Sequence, residues 1–181
     1  MIILRNKKIS ILYIDGYNPD KETYMINSLK KILKNSCNIL FQEVDESRPL
    51  ETYNTLKSLS KNANIIIGYS MGGFYADLLD CSRKIFINPA FKFYNIVKTY
   101  PENFKVDLEE LNILNNLSKY RKGVSSVMIL GDNDLKIKST GVEEIFNSTY
   151  GGKILTYPGK HLIDFQSMEK LIPKAIKLVL E

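Results

Sequence analysis

Two patterns of hydrophobic and polar residues alternate along the chain. Short runs rich in β-branched residues are typical of buried strands, and they occur at Ile9–Ile14, Asn38–Val44, Asn64–Ile67, Lys84–Ile87, Ser125–Leu130 and Lys153–Tyr157. Longer stretches with apolar residues at helical spacing lie between them, at Lys21–Asn35, Pro49–Lys61, Met71–Leu79, near Ser139–Phe146 and at Ser167–Leu180. Strands that alternate with helices predict an α/β fold of six mostly parallel strands with helices on both faces.

Two places depart from this regular alternation. Proline lacks a backbone donor, so we expect the last helix to begin or to kink at Pro173. The segment Ala90–Gly123 has no strand pattern, is rich in aromatic residues and is too long for an ordinary connection. It holds one predicted helix, at Leu108–Tyr120. The segment is either a small lid over the ends of the strands or a packed surface excursion, and the sequence favours neither.

The size and composition of the chain are those of one globular domain. It has 181 residues, of which 44% are hydrophobic and 25% charged, so we expect a single domain over residues 1–181. No apolar run approaches the roughly 18 residues of a membrane span, and the N-terminal stretch does not resemble a secretory signal. Cys37 and Cys81 are too few for a disulfide framework and are expected to be buried thiols. These features predict a cytoplasmic protein.

The net charge of +5 raises the question of a nucleic-acid partner. Lysine supplies 21 of the 25 basic residues, and these lysines are scattered singly or in pairs with acidic residues between them. A nucleic-acid groove favours clustered arginine beside aromatic residues. We therefore expect an ordinary charged surface and no nucleic-acid partner.

A serine follows the third predicted strand in the sequence Gly68-Tyr69-Ser70-Met71-Gly72. This is the G-x-S-x-G pattern of a nucleophile elbow, a sharp turn from a strand to a helix that exposes the serine hydroxyl. Gly68 and Gly72 lack the Cβ atoms that would collide with the neighbouring strand and helix. Because a strand is predicted before the motif and a helix after it, we expect Ser70 to be a nucleophile.

A serine of ordinary acidity needs a base, which is most often histidine. The chain has one histidine, His161, and it lies in the loop between the last predicted strand and the last helix. In hydrolases with this elbow the histidine comes last in the chain, after the serine and an acidic residue. We therefore expect His161 to be the base.

The third member of such a site is a carboxylate that orients the imidazole ring. Asp132 and Asp134 both follow the strand Ser125–Leu130. We prefer Asp134, because the acid at this loop usually follows a G-x-x-D spacing from Gly131, and we interpret Asp132 as a turn residue. Asp164 is expected to cap or line the last helix.

Acyl transfer also needs donors for the negatively charged oxygen of the intermediate. One is expected to be the backbone N–H of Met71, at the start of the elbow helix. The other is expected from the loop Asp15–Pro19 after the first strand, with the N–H of Tyr17 as the preferred donor.

With these residues in place, the chain resembles the α/β-hydrolase superfamily, and within it the small YqiA/YcfP-like esterases. The resemblance is carried by the sequences LYIDGYN, IIIGYSMGGFYADLL, IFINPAF and MILGDND and by the single late histidine. It implies a single-domain α/β-hydrolase with carboxylesterase-type chemistry at Ser70, Asp134 and His161. Relatives usually have His-Gly-Phe where this chain has Asp15-Gly16-Tyr17, so we expect the Asp15 carboxylate to turn back onto its own loop.

The expected activity is hydrolysis of a carboxylic ester or thioester of a small acyl substrate through an acyl-enzyme, with no metal and no cofactor. Two alternatives remain open. One is a peptidase or thioesterase on the same scaffold, and the other is a non-catalytic binding protein that retains the hydrolase fold. The sequence does not identify the acyl group, the alcohol or the oligomeric state.

Overall fold

The computed structural model describes residues 8–17, 23–34, 36–98, 105–117 and 123–181. Its six strands form one sheet in the order β2-β1-β3-β4-β5-β6, and every neighbouring pair is parallel. The strands are β1 (Ile9–Ile14), β2 (Cys37–Gln42), β3 (Ile65–Tyr69), β4 (Arg83–Ile87), β5 (Ser125–Gly131) and β6 (Lys153–Tyr157). The predicted six-stranded α/β architecture is confirmed.

The helices of the described residues connect the strands and cover both faces of the sheet. They are α1 (Tyr24–Leu33), α2 (Pro49–Ser60), α3 (Met71–Leu78), α4 (Phe93–Val97), α5 (Leu108–Asn115), α6 (Leu135–Lys138), α7 (Val142–Thr149) and α8 (Phe165–Leu180). The expected limits of the first helix, Lys21 and Asn35, lie outside the described residues. Parallel strands need such crossovers, which explains why helices and strands alternate along the chain.

Two apolar layers form the core, one on each face of the sheet. Successive strand residues point to opposite faces, so Ile11 and Tyr13 join one layer while Leu12 and Ile14 join the other. The first layer packs the sheet against α1 and α8, and the second packs it against α2, α3, α5 and α7. This burial on both faces accounts for the continuous apolar runs of the central strands.

The last helix begins earlier than expected. It starts at Phe165 and continues through Pro173 to Leu180, so the expectation of a start at Pro173 is wrong. The Asp164 side chain accepts a hydrogen bond of 2.9 Å from the Ser167 N–H and supplies the start signal. The expected capping role of Asp164 is therefore confirmed.

The helix predicted near Ser139–Phe146 is observed as α7, three residues later at each end, and the short helix α6 that precedes it was not predicted. Gly141 lies between α6 and α7 with a φ of 72°, in the left-handed region that interrupts a helix. The Asp134 side chain caps α6 by accepting a hydrogen bond of 3.2 Å from the Ile137 N–H. Because of this cap, α6 begins directly after the aspartate that we assign to the site.

The segment 90–123 contains α4 and α5, and its described part contains no strand. Residues 99–104 and 118–122 lie outside the description, so the predicted helix Leu108–Tyr120 is observed only as Leu108–Asn115. Leu111 and Leu114 of α5 are fully buried, and Glu110 accepts a hydrogen bond of 3.0 Å from the Leu50 N–H at the start of α2. These contacts favour a packed excursion for α5, whereas a lid role for the segment stays a prediction.

Two further expectations concern the cysteines and the membrane. Cys37 and Cys81 are free but half-buried, so the expectation of buried thiols is wrong. Cys37 is the first residue of β2, and Cys81 lies between α3 and β4. None of the helices in the described parts of the chain has the length and apolar character needed to cross a bilayer.

Candidate active site

Ser70 occupies a strained turn between β3 and α3. Its φ of 50° and ψ of −117° lie in a region that L residues rarely adopt, and such outliers are typical of functional turns. The turn is held by its neighbours, because the Ser70 N–H donates to the Ile87 carbonyl over 3.0 Å and the Ala90 N–H donates to the Ser70 carbonyl over 2.9 Å. The end of β4 therefore fixes the position of the serine.

The two glycines of the elbow are required by close packing. A Cβ on Gly68 would lie 2.5 Å from the Gly72 carbonyl oxygen and 2.8 Å from the Ala76 Cβ. A Cβ on Gly72 would overlap the carbonyl oxygen of Ile14, at the end of β1. Only glycine allows α3 to approach both central strands this closely.

Three side chains that are distant in sequence meet at the carboxyl ends of the strands. His161 Nε2 lies 2.8 Å from Ser70 Oγ, and His161 Nδ1 lies 2.6 Å from Asp134 Oδ2. Asp134 is only 2% exposed, and its other carboxylate oxygen accepts the α6 capping bond described above. The imidazole therefore bridges a buried carboxylate and the hydroxyl of the elbow.

Asp132, the alternative acid, is not part of this arrangement. Its side chain is exposed, and its backbone N–H donates to the Tyr157 carbonyl over 3.0 Å. The residue thus helps to join the ends of β5 and β6. This agrees with our interpretation of Asp132 as a turn residue.

The loop that carries His161 is held by Asn88, a fully buried residue at the end of β4. Asn88 Nδ2 donates to the His161 carbonyl over 2.5 Å and to the Tyr157 hydroxyl over 2.7 Å, while its Oδ1 accepts from the Gly131 N–H over 2.8 Å. One amide side chain therefore connects β4, β5 and the histidine loop. Its φ of 42° lies in the left-handed region, which asparagine tolerates better than most residues.

Two tyrosines complete the support of this loop. The Tyr157 hydroxyl donates to the Lys160 carbonyl over 2.6 Å, and the Tyr69 ring packs on the His161 ring with centroids 5.4 Å apart. Burial raises the pKa of Tyr157 to about 12, with the nearby Asp134 acting in the same direction. The Tyr157 hydroxyl consequently stays a protonated donor throughout the neutral pH range.

Asp15 lies in the loop that we expect to supply an oxyanion donor. Its Oδ1 accepts hydrogen bonds of 2.8 Å from the Gly16 N–H and from the Tyr13 hydroxyl, and the residue is 6% exposed. Burial raises the pKa of the Asp15 carboxyl, although both hydrogen bonds favour the charged form. The Gly16 bond is the turn onto its own loop that we expected, and the Tyr13 bond comes from β1.

A small cavity adjoins the three side chains. It has a volume of about 20 Å³, enough for one or two water molecules, and its walls are formed by Tyr17, Ser70, Met71, Ala90, Phe93, Ile96, Lys136, Ile137 and His161. The two residues with the expected oxyanion donors, Tyr17 and Met71, therefore lie beside Ser70. The described residues contain no group of three or more potential metal ligands among His, Cys, Asp and Glu.

Several residues around the site were not predicted from the sequence. Asn88, Tyr157 and Tyr69 support the histidine loop, and α4 contributes Phe93 and Ile96 to the cavity. The pair Asn88-Pro89, at the end of a predicted strand, was the sequence feature that could have placed Asn88 near the site. Parallel strands end at the same edge of the sheet, so a polar residue directly after β4 had to lie near the residues that follow β3 and β5.

Comparison with solved structures identifies the architecture. The esterase domain of a Rhodothermus marinus protein superposes with a TM-score of 0.66 at 12% identity, covering 92% of this chain and 84% of that chain. The enol-lactonase from Burkholderia xenovorans LB400 gives 0.63 at 12% identity, covering 99% and 94%. The S-formylglutathione hydrolase from Staphylococcus aureus gives 0.63 at 15% identity, covering 97% and 85%. The chain has the α/β-hydrolase fold.

The likeness to these α/β-hydrolases is one of fold, since the sequences have diverged widely. The sequence matches no protein-family model and no curated protein. In the α/β-hydrolase fold of this chain, Ser70 follows β3, Asp134 follows β5 and His161 follows β6. All three therefore lie at the edge where open α/β sheets bind their ligands.

Proposed function

We propose that this protein is a serine hydrolase that cleaves a carboxylic ester or thioester of a small acyl substrate. The observation that carries the proposal is the continuous hydrogen-bonded chain from Ser70 Oγ through His161 to Asp134. A serine, a histidine and a carboxylate in this order form the arrangement that activates a hydroxyl as a nucleophile. The strained backbone at Ser70 supports the same role.

The first half of the reaction forms an acyl-enzyme. Ser70 Oγ attacks the acyl carbonyl carbon while its proton passes to His161 Nε2, and the Asp134 carboxylate stabilises the imidazolium through the bond to Nδ1. The carbonyl oxygen becomes negatively charged, and the backbone N–H groups of Met71 and Tyr17 are proposed to stabilise it. When the tetrahedral intermediate collapses, His161 returns the proton to the leaving alcohol or thiol.

The second half reverses these roles with water. His161 takes a proton from a water molecule, whose oxygen attacks the acyl carbon of the Ser70 ester. Collapse of the second intermediate breaks the bond to Ser70 Oγ, and His161 gives the proton back to the serine. The products are a carboxylic acid and the free enzyme.

Names of structural neighbours agree with this proposal without deciding the substrate. They include esterases, an S-formylglutathione hydrolase and a thioesterase domain, all at low sequence identity. We further propose a relationship to the small YqiA/YcfP-like esterases, on the basis of the motifs around Ser70, Asn88 and Asp134.

The alternative of a non-catalytic binding protein rests on the irregular segment 90–123 and on Asp15, because a carboxylate near the oxyanion would oppose its charge. In the structure this carboxylate accepts hydrogen bonds from Gly16 and Tyr13. Its charge is therefore engaged by donors of its own loop and strand. This contact favours the enzyme over the binding protein.

Labelling with a fluorophosphonate tests the proposal, because this reagent reports an activated serine whatever the natural substrate. We expect the wild type to be labelled and to hydrolyse short p-nitrophenyl esters. Ser70→Ala should lose both activities and keep the circular dichroism of the wild type. Wild type that does not label, or a Ser70→Ala variant that labels and hydrolyses like wild type, would contradict the proposal.

A further inference from the structure

A second cavity lies at the edge of the sheet opposite to Ser70. It is an open groove of about 690 Å³ between the ends of α2 and α3 and the starts of β3 and β4, and we call it the α2–α3 groove. Pockets that enclose a small molecule measure roughly 300–1,000 Å³, whereas the cavity beside Ser70 has only about 20 Å³. The α2–α3 groove therefore has the size of a ligand site.

The α2–α3 groove is separated from Ser70 by the length of two strands. Asn64 lines the groove and directly precedes β3, whereas Ser70 directly follows that strand. Arg83 also lines the groove and is the first residue of β4, while Ile87 at the other end of β4 accepts the hydrogen bond from the Ser70 N–H. A strand of five residues spans about 13 Å, so a ligand in the groove lies away from the Ser70 hydroxyl.

The side chains of the groove carry an excess of positive charge. Lys57, Lys61 and Arg83 line it, and Asp80 is the one acidic residue among the described lining residues. The carboxyl-terminal ends of α2 and α3 also lie here, and each contributes about half a negative charge. Three cations thus outweigh one carboxylate and two helix ends, so the groove attracts anions.

Arg83 is the cation of the groove that most needs a charge partner. It is half-buried, and its guanidinium forms no hydrogen bond or ion pair with any residue that the structure describes. By contrast, the exposed Arg48 lies 3.1 Å from a carboxylate oxygen of Glu51. Because a guanidinium that is partly removed from water is stabilised by an anion, a ligand in the groove would supply this partner.

Apolar surface adjoins these charges. Tyr53, Ala63 and Leu78 are half-buried walls of the groove, and Lys57 Nζ lies 5.6 Å from the centroid of the Tyr53 ring. A simple inorganic ion would leave these walls uncovered. The groove therefore suits a molecule that combines an anionic group with an uncharged organic body.

We propose that the α2–α3 groove is a binding site for a small organic phosphate monoester. Arg83, Lys57 and Lys61 hold the phosphate, and the walls at Tyr53 and Leu78 contact the organic body. A phosphate suits the cations better than a carboxylate does, because it carries nearly two negative charges and three acceptor oxygens at neutral pH. The guanidinium fork can bind two of these oxygens while the lysines act as mobile point charges. This site is additional to the proposed hydrolase site and does not depend on it.

An NMR titration of the full chain with phenyl phosphate tests the proposal. We expect saturable shifts of the Tyr53, Lys57 and Arg83 amides, with the Ser70 and His161 amides unchanged. Benzoate has the same ring but a carboxylate, and inorganic phosphate has no organic body, so each should bind at least fivefold more weakly. Binding of phenyl phosphate should weaken at high salt.

Variants identify the residues that hold the phosphate. Arg83→Gln should weaken binding of phenyl phosphate at least tenfold, and Arg83→Lys several-fold, because lysine lacks the fork. Lys61→Met, at an exposed position, should weaken it about threefold and provides a test even if Arg83→Gln fails to fold by circular dichroism. Arg48→Gln is the matched control, because Arg48 precedes the other end of α2, is paired with Glu51 and should not affect binding.

The results that would overturn the proposal are distinct from those that test hydrolysis. Wild type without saturable binding, or wild-type affinity in both Lys61→Met and a folded Arg83 variant, would exclude the site. Benzoate that binds as tightly as phenyl phosphate would refute the choice of a phosphate, and shifts confined to Ser70 and His161 would place the ligand elsewhere. Ser70→Ala should bind phenyl phosphate like wild type, so failure of the proposed hydrolase function leaves this test intact.

Discussion

Replacing Asn88 with alanine tests how the candidate active site is held in place, without changing Ser70, His161 or Asp134. The side chain is fully buried, does not itself line the cavity, and makes three hydrogen bonds that join β4 to the histidine loop and to β5. Alanine removes all three and leaves a space where water is excluded. The variant therefore weakens the support of His161 and of its loop, while Ser70, His161 and Asp134 keep their own side chains.

The expected loss of stability can be worked from these contacts. The Gly131 N–H loses its side-chain acceptor, and an unsatisfied buried donor costs about 1–3 kcal/mol. The His161 carbonyl keeps a long contact of 3.4 Å with the Tyr69 hydroxyl, and the Tyr157 hydroxyl keeps its bond to Lys160, so each of these losses is nearer 1 kcal/mol. Alanine also adopts the left-handed φ less readily than asparagine, at about 1 kcal/mol. The total is about 4–6 kcal/mol.

Urea unfolding and fluorophosphonate labelling measure the two consequences. We expect the free energy of unfolding to fall by about 4–6 kcal/mol, and the labelling rate to fall more than tenfold under conditions where the variant is still folded. The second effect follows because a displacement of about 1 Å in a catalytic group can cost roughly 100-fold in rate. Asn54→Ala, at an exposed position of α2, is the control and should change neither quantity. An Asn88→Ala protein with wild-type stability and labelling rate would refute the reasoning.

Two other predictions concern the carboxylates. Asp134→Asn should lower kcat/KM on a short ester by about 10³-fold or more, because Asp134 is the one of the two aspartates that hydrogen-bonds to His161. Asp132→Asn should change kcat/KM less than about threefold. The pKa of the Asp15 carboxyl is raised in the folded state, so this group keeps its proton to higher pH in the folded protein than in the unfolded chain. The stability of the wild type therefore falls as the pH rises from 3.8, the ordinary pKa, through the raised pKa. Asp15→Asn cannot ionise, so urea unfolding at a series of pH values should show its stability rising relative to wild type across that window.

Specific results would contradict each of these. A greater loss in Asp132→Asn than in Asp134→Asn would mean that the wrong aspartate has been assigned to the site. A stability difference between Asp15→Asn and wild type that stays constant from about pH 3 to 8 would mean that burial does not perturb the Asp15 carboxyl. The alkaline end of that range also provides the control, since above the raised pKa the difference should be level.

The strands were predictable because their signal is local. The residues of β1, β3, β4 and β5 are mostly buried on both faces, so a cluster of β-branched residues suffices to locate these strands. β1 and β6 have the predicted limits. Helix limits were harder, because they depend on single capping and breaking residues. Asp164 starts α8 before Pro173, and the predicted start of α7 at Ser139 falls on the C-cap of α6, which Gly141 separates from α7.

The candidate site divides in the same way. Ser70, His161 and the Asp132/Asp134 pair were found because each follows a strand and carries the residue type that the chemistry needs. The role of Asn88 could not be assigned so readily, since it depends on contacts between remote segments. Asn88 is 43 residues from Gly131 and 73 from His161, and no local pattern reports such pairing.

The position of β6 at one end of the sheet has a consequence for the way in which activity is lost. This strand leads directly to His161, yet two of its five residues, Lys153 and Thr156, are exposed, whereas all five residues of β3 are buried. Edge elements with little burial open at a lower free energy than central ones, well before the whole domain unfolds. Detachment of β6 would withdraw His161, the proposed base, while Ser70, the proposed nucleophile, stayed in an intact core. The proposed activity is then lost at a lower temperature or denaturant concentration than the one that unfolds the whole domain, because local opening of β6 is enough to separate His161 from Ser70.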